Sequence, residues 1–372
     1  MSPPRARLAA TYAASFGVIG SVSPYLALEL RAQGLAGWGL MGALAAWPLG
    51  RLVGGPLWGM VADHFRNASR IMAVAAGIAT LGGVLLAATP GAALAGVLLI
   101  SVGRAPVDTL LEGITLNALG EDALAYGRVR LWGSAGYLAA ALGGGWLLAL
   151  GGPSPIALGA VLSFVMLALV LGLPADRYEP TPIGPALRAL ASNRAVPWFL
   201  LGAALHFLSH AGGSAFLAVH VSALGLSPAW TGIALAAGVT VEIAVMASAP
   251  WLLSRFSTRT VLLVAVALAI PRWVLNAVVS APLGVVAIQT LHGITFGAWW
   301  VAAVAQMGKW SAPEVRTSAQ GLMGAASAGV GNLAGMIGGS WLIDHGGTVH
   351  LFWVMAGVSV LALGATAMAY ER

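Results

Sequence analysis

The chain has 372 residues, of which 59% are hydrophobic and 8% are charged, and its mean hydropathy is +0.88. About a quarter of the residues in a soluble domain are charged. This composition therefore excludes a soluble domain and indicates a polytopic membrane protein. The formal net charge of +6 comes from arginines that stand singly between apolar segments, which argues against nucleic acid as a partner. The chain has no cysteine, so disulfides and thiolate metal sites are excluded.

A helix needs about 20 mostly apolar residues to cross a bilayer, and polar breaks divide this chain into twelve such segments. The predicted spans are 8–30, 38–62, 71–88, 94–119, 129–150, 156–173, 196–219, 228–253, 260–280, 282–306, 318–343 and 351–370. We therefore predict an all-α polytopic membrane protein with two six-helix bundles, 1–173 and 196–372, joined by a cytoplasmic linker at 174–195.

Basic residues set the predicted orientation, because cytoplasmic loops carry an excess of lysine and arginine. With both termini placed in the cytoplasm, the outer loops receive only Arg31. The cytoplasmic side then receives Arg5, Arg7, Arg66, Arg70, Arg128, Arg130, Arg177, Arg188, Arg194, Arg255, Arg259, Lys309, Arg316 and Arg372. We expect a multi-pass protein of the bacterial cytoplasmic (inner) membrane.

The fourth span carries an ionic stripe, since Arg104, Asp108 and Glu112 follow one another at every fourth residue. On a helix they fall within an arc of about 80°, and this face must meet protein or water rather than lipid. Two roles are open for Glu112 and Arg130: charges that form an ion pair or part to bind a polar substrate, or a structural clamp between neighbouring helices. Asp108 is a further candidate for binding substrate, although Arg104 could neutralise it within the helix. Arg51, also inside a span, has no assigned role.

The second half contains a different set of candidate residues. Glu242 has no charged neighbour in sequence, and an apolar helix favours the protonated form of a carboxyl group, which suits a proton carrier. We predict Arg272 as its partner and His292 as a proton relay or a substrate ligand. The alternatives are a permanently paired or permanently protonated Glu242 and a His292 that only packs. His206 and His210 share a helix face at metal-ligand spacing, but no nearby acid or thiol supports a metal site, so we favour a polar cavity lining.

Two tryptophans stand near these charged groups. Trp132 follows Arg130 by two residues, and Trp299 follows His292 by two helical turns. An aromatic face beside a charge holds sugars, nucleobases or aryl acids by stacking, although many membrane tryptophans simply lie at the bilayer interface. Asp63, Arg66 and Arg70, in a short predicted cytoplasmic loop, are expected to latch helix ends in one conformational state, which is a gating role.

Several segments resemble one branch of the major facilitator superfamily. The loop GPLWGMVADHFRNASR at 55–70 resembles the signature loop of the superfamily, and a related SAPWLLSRFSTR occurs at 248–259. Further similarity lies in RLVGGPLWGMVAD, YGRVRLWGSAGY, QTLHGITFG and RTSAQGLMGAASAGVGNLAGMIGGSWLID, spread over both halves. The chain is similar to the branch that contains lactose, nucleoside and phenylpropionate permeases, and is nearest to the phenylpropionate permease-like members.

The resemblance also implies roles for individual residues. Glu112 and Arg130 stand at the separation of the acid and arginine that bind galactoside in lactose permease. Arg272 and His292 match the arginine and histidine of its proton-coupling cluster. Where that permease has a lysine and a glutamate flanking the histidine, this chain has Gln289 and Thr295. Either another acid carries the proton here, or the coupling differs.

We therefore expect a monomeric, proton-coupled symporter in the lipid bilayer that takes up a small polar or aromatic solute, such as a sugar, nucleoside or aryl acid. Two similar halves suit alternating access. A proton gradient supplies the energy without a cofactor, and the absence of a GxxxxGK[ST] loop argues against direct ATP drive. A proton-driven exporter is the alternative, and an intramembrane enzyme or a metal-handling protein is a remote one.

Overall fold

A computed structural model describes residues 3–65, 67–119, 123–173, 193–311 and 316–371 of the chain. Throughout these ranges the backbone forms helices joined by short turns, and no β-strand occurs in them. The predicted all-α class is therefore confirmed.

Seven helices form the first half of the described chain. They are α1 (Pro3–Val22), α2 (Leu26–Ala32), α3 (Gly37–Phe65), α4 (Ala68–Ala88), α5 (Ala93–Leu119), α6 (Ala123–Ala149) and α7 (Pro155–Val170). The second half contains α8 (Ala195–Ser214), α9 (Leu217–Ala223), α10 (Ala229–Ala247), α11 (Ala249–Arg255), α12 (Thr258–Val278), α13 (Pro282–His292), α14 (Trp299–Trp310), α15 (Arg316–Gly324) and α16 (Asn332–Met368). Two π-helical segments, Gly293–Ala298 and Ala325–Gly331, connect α13 to α14 and α15 to α16.

Among the described residues, seven helical stretches are long and apolar enough to cross a membrane, or eight if the bent pair α1 and α2 is one span. The two helices of that pair meet at an angle of 47° around Pro24, whose backbone lacks an N–H donor. One stretch, Ala319–Met368, covers both of the last two predicted spans, and its backbone leaves helical geometry at Gly347, where φ is 72°. The count of twelve spans stays a prediction.

Short polar side chains fix where several of these helices begin. Asn67 accepts a hydrogen bond from the backbone N–H of Arg70 at the start of α4, and Ser154 accepts one from Ile156 at the start of α7. These side chains satisfy amide groups that have no partner within the helix. The helix ends are thus specified locally, by residues that interrupt the apolar runs.

The chain divides into two compact units. The N-terminal unit comprises Met1–Pro180 and Ser227–Gly232, and the C-terminal unit comprises Thr181–Leu226 and Ile233–Arg372. Each unit has its own core of apolar side chains. The domain boundaries predicted from the sequence, with a linker at 174–195, stay a prediction, and residues 174–192 of that linker lie outside the described ranges.

Glycine allows particularly close helix packing within each unit. In the N-terminal unit, a Cβ atom at Gly136 of α6 would lie 2.1 Å from the backbone oxygen of Ala13 in α1. In the C-terminal unit, a Cβ atom at Gly335 of α16 would lie 2.5 Å from the backbone oxygen of Leu208 in α8. Such contacts are too short for any side chain, so these helix pairs require glycine at both crossings.

Candidate functional site

Glu112 lies on α5 in the N-terminal unit, and its exposed side chain is held by a tyrosine of the next helix. The Tyr126 hydroxyl, on α6, donates a hydrogen bond of 2.8 Å to Glu112 Oε1. A phenol that donates a hydrogen bond to a carboxylate stabilises the negative charge and fixes the orientation of the carboxylate. The second oxygen, Oε2, has no hydrogen-bond partner among the described residues, so it is available to a ligand.

Arg130, four residues after Tyr126 on α6, packs against aromatic rings of α1. Its Cζ atom lies 4.2 Å from the centre of the Phe16 ring and 5.4 Å from that of Tyr12. These distances are typical of cation–π interactions, which stabilise the guanidinium without using its N–H groups as donors. Within the described part of the chain, the guanidinium makes no hydrogen bond and no ion pair.

The predicted pairing of Glu112 with Arg130 is therefore not present as a direct ion pair. The two charges nevertheless lie in one region, because Glu112 is bonded to Tyr126, which stands one helical turn before Arg130 on α6. Both side chains thus lie beside aromatic rings, and each keeps unused hydrogen-bonding atoms: an acceptor oxygen on Glu112 and N–H donors on Arg130. Such an arrangement can bind a polar molecule that carries both a donor and an acceptor.

Arg104, at the start of the ionic stripe, connects two helices. It is 4% exposed, and its Nη1 atom donates to the backbone oxygen of Ser15 on α1 at 2.6 Å and to the Ser15 hydroxyl at 2.9 Å. Together with Arg51 and Ser101 it lines a small cavity inside the N-terminal unit. The Asp108 side chain lies outside the described part of the structure, so its predicted substrate contact stays a prediction.

In the C-terminal unit, Glu242 of α10 meets His292 at the end of α13. Glu242 Oε2 lies 3.5 Å from His292 Nε2, and both side chains are partly exposed. The ring of Phe296 stacks on the imidazole, with 5.0 Å between the ring centres and 12° between the planes. A carboxylate and an imidazole at this distance can share or exchange a proton. The expected partner of Glu242, Arg272, does not contact it.

Arg272 is instead held by neutral side chains. It is 1% exposed, and its Nη2 donates to Gln289 Oε1 at 2.9 Å while Nη1 donates to Thr295 Oγ1 at 3.3 Å. Gln289 Nε2 in turn donates to Asn276 Oδ1 at 2.9 Å. The prediction of a Glu242–Arg272 pair was wrong, because the guanidinium donates its hydrogen bonds to Gln289 and Thr295 instead. These are the two positions that depart from lactose permease. Amide and hydroxyl oxygens accept hydrogen bonds from the guanidinium without adding a negative charge.

His206 and His210 of α8 also converge on Thr295. His206 Nε2 lies 2.8 Å from the Thr295 backbone oxygen, and His210 Nε2 lies 3.2 Å from its hydroxyl. Because a carbonyl oxygen only accepts, His206 must carry a proton on Nε2. The described residues contain no group of three or more histidine or acidic side chains placed to bind a metal. The two histidines thus connect α8 to the π-helical segment at Thr295.

The two candidate tryptophans lie in different surroundings. Trp299 is 1% exposed and packs on His206 and Phe207, with 5.2 Å between ring centres in each case. It is part of the core of the C-terminal unit, and in this structure it offers no free aromatic face. Trp132, on α6 two residues after Arg130, is 50% exposed.

The predicted gating residues are only partly described. Arg66 lies outside the described ranges, and so does the side chain of Asp63 in the last turn of α3. Arg70 is exposed in the first turn of α4. The gating role therefore stays a prediction.

Three aromatic residues of the N-terminal site escaped the sequence reasoning, namely Tyr12, Phe16 and Tyr126. Tyr126 follows Glu112 by fourteen residues and belongs to another helix, so no sequence spacing places the two together. The available signal was the position of Tyr126 one helical turn before Arg130, which sets both side chains on one face of α6.

Comparison with known proteins gives one family over nearly the whole chain. A model of the MFS_1 like family matches residues 5–354. The maltose permease of Geobacillus stearothermophilus is 28% identical over 370 residues, which covers 94% of this chain and 91% of that protein. A probable 3-phenylpropionic acid transporter of Escherichia coli (strain K12) is 26% identical over 371 residues, covering 95% and 94%.

Solved structures show the same fold. The crystal structure of the nucleoside transporter NupG superimposes with a TM-score of 0.83 over the full length of both chains, at 20% sequence identity. The POT family transporter PepTSo superimposes with a TM-score of 0.78, covering 99% of this chain and 98% of that one, at 13% identity. Identities this low establish a shared fold and carry no information about the solute.

Proposed function

Because the chain belongs to the MFS_1 like family, whose relatives are membrane transporters and not enzymes, we propose that it is a proton-coupled secondary transporter. It takes up a small polar or aromatic organic solute by alternating access. The sequence relatives are a maltose permease and a probable 3-phenylpropionic acid transporter, and the sequence also resembles the branch that contains nucleoside permeases, so these three solute classes are the ones to test first.

The observation that carries the proposal is the separation of Glu112 from Arg130. Two opposite charges on neighbouring helices attract each other strongly in a medium of low dielectric constant, and a purely structural pair would close. Here the carboxylate and the guanidinium both keep unused hydrogen-bonding atoms beside aromatic rings. This favours a ligand that accepts from the arginine and donates to the glutamate, as a sugar or nucleoside hydroxyl does.

Coupling to protons is supported by Glu242 and His292. The two side chains are 3.5 Å apart and partly exposed, so a proton taken up by the carboxylate changes the charge of the pair. Arg272 of the same unit is a buried cation that donates hydrogen bonds to amide and hydroxyl oxygens. In this mechanism Glu242 carries the proton, His292 relays it or contacts the solute, and Arg272 favours its release.

Binding is tested with purified protein and three probes, maltose, uridine and 3-phenylpropionate. A ligand that binds only the folded state raises the unfolding temperature, and the rise grows with the ratio of ligand concentration to Kd. We expect one class to stabilise wild-type protein and to lose this effect in Glu112→Gln. Stabilisation that persists in the variant would contradict the assignment of the site.

Direction and coupling are tested in right-side-out vesicles with the probe that binds. An inward proton gradient is expected to drive accumulation, and a protonophore is expected to abolish it. Net expulsion under the same gradient would support the exporter instead. Accumulation that ignores the gradient would contradict proton coupling in either direction.

The location and orientation are part of the same proposal. We place the chain as a monomer in the bacterial inner membrane with both termini in the cytoplasm, because the basic residues concentrate on one predicted side. Since the chain lacks cysteine, a single cysteine can be introduced at the exposed Gln33 or Glu371. An impermeant thiol reagent added to intact cells is expected to label the first and not the second.

A further inference from the structure

The N-terminal site raises the question of what keeps Glu112 and Arg130 from forming an ion pair. Glu112 is bonded to the Tyr126 hydroxyl, and the Arg130 guanidinium lies 5.4 Å from the centre of the Tyr12 ring, one turn along α6 from Tyr126. Opposite charges attract each other over several ångströms in a protein, so an acid and an arginine in this arrangement are expected to pair unless other contacts restrain them. Something in the fold must hold each side chain in place.

On the glutamate side, the restraint is the Tyr126 hydroxyl. It donates to Oε1 over 2.8 Å, an ordinary O–H···O distance, and its acceptor is a carboxylate oxygen. Tyr126 and Arg130 share one face of α6, and it is the Tyr126 hydroxyl that contacts the carboxylate. This bond occupies one oxygen of Glu112 and leaves the other without a partner among the described residues.

On the arginine side, the restraint is an aromatic platform on α1. The guanidinium lies 4.2 Å above the Phe16 ring, where the ring face attracts a cation. Gly133, one turn after Arg130 on α6, provides the space for this position. A Cβ atom at Gly133 would lie 2.9 Å from Arg130 Nη1 and 3.1 Å from Phe16 Cδ2, so a side chain there would require the guanidinium and the ring to shift.

We propose that Tyr126 and Phe16 are positioning residues that hold Glu112 and Arg130 apart, so that both charges stay free to bind solute. This proposal rests on the proposed function, which gives the two charges their role as a substrate site. It adds three residues, Tyr126, Phe16 and Gly133, that act on the solute only through Glu112 and Arg130. Removal of either restraint lets the two charges close into an ion pair that competes with the solute.

The test needs no solute, because an arginine engaged by a carboxylate reacts more slowly with phenylglyoxal than a free one. Modification of purified protein is followed at Arg130 by mass spectrometry of its peptide. We expect wild-type Arg130 to react readily and Tyr126→Phe to slow the reaction about 10-fold, the factor that corresponds to one charge-assisted hydrogen bond. The exposed Arg128 of the same helix provides an internal reference and should react equally in both proteins.

A double variant separates positioning from a general structural effect. In Glu112→Gln the carboxylate is absent, so Tyr126→Phe added to it should leave the Arg130 rate at the wild-type value. Phe16→Leu and Gly133→Ala should also slow the reaction, and Phe16→Tyr, which keeps the ring, should restore it. Tyr370→Phe removes a phenol from the C-terminal unit and serves as the matched control.

Two results would overturn the proposal. One is an Arg130 rate that is the same in wild type, Tyr126→Phe and Phe16→Leu; the other is a slower rate in Tyr126→Phe that persists when Glu112 is glutamine. Because the measurement uses no solute, it stands apart from transport: a positive result in a protein that transports nothing would contradict the proposed function alone.

Discussion

Glu242 Oε2 lies 3.5 Å from His292 Nε2, which joins a carboxylate of α10 to an imidazole of α13 across the C-terminal unit. In the sequence Glu242 has no charged neighbour, and fifty residues separate it from His292. The fold makes a pair of two groups that each change charge on binding a proton, and it leaves both partly exposed. Neither group is engaged by Arg272, whose guanidinium is bonded to Gln289 and Thr295.

The first prediction concerns this pair. Glu242→Gln keeps the shape of the side chain and removes its ability to carry a proton, so we expect exchange of solute between the two sides of a vesicle to persist while gradient-driven accumulation is lost. Both are measured with the same radiolabelled solute, with and without an imposed pH gradient. Glu371→Gln, at the far end of the chain, should leave both unchanged. Accumulation that survives Glu242→Gln would move proton carriage to Asp108 or His292.

The second prediction concerns the substrate end. Glu112→Gln replaces two acceptor oxygens by one acceptor and one donor, and a charged hydrogen bond to the solute is worth about 1.5–3 kcal/mol. We expect affinity to fall by about 10- to 100-fold, measured by the solute-dependent rise in unfolding temperature. The unfolding temperature without solute should stay close to that of wild type, because the Glu112 side chain is exposed. Full affinity in the variant would contradict the site.

The third prediction concerns the neutral residues around Arg272. Gln289→Ala removes the acceptor of Arg272 Nη2 and the donor to Asn276, leaving buried polar atoms without partners. We expect a destabilisation of about 1–3 kcal/mol, measured as a lower unfolding temperature of the purified protein. Gln320→Ala is the matched control, because Gln320 is exposed on α15. Equal stability of both variants would show that the bonds to Gln289 contribute little to folding.

The fourth prediction concerns the contact of α8 with α16. Gly335→Ala would place a Cβ atom 2.5 Å from a backbone oxygen, so the two helices must separate, at a cost of about 1–3 kcal/mol. Gly338→Ala, one turn further along the same helix, meets nothing within 4 Å and should be neutral or slightly stabilising. Thermal unfolding of the two variants side by side isolates the effect of the contact. A Gly335→Ala protein as stable as Gly338→Ala would contradict the described crossing.

By itself, the sequence determined the class of the protein. Long apolar runs with few charges leave the backbone no way to satisfy its hydrogen bonds in lipid except as helices, so the all-α prediction followed from composition and periodicity. Helix starts such as Asn67 and Ser154 were also local, because a capping side chain acts on amides two or three residues away. The family followed from motifs that lie in both halves of the chain.

Only the tertiary structure decided which charges meet. The sequence indicated Arg272 as the partner of Glu242, and the fold gives His292 instead, because neutral side chains surround the guanidinium first. Likewise the sequence left open whether Glu112 and Arg130 form an ion pair, and in the structure Glu112 contacts Tyr126 while Arg130 contacts Phe16. An ion pair depends on distances of a few ångströms between separate helices. Those distances follow from how helices pack, which the spacing of residues along one chain does not specify.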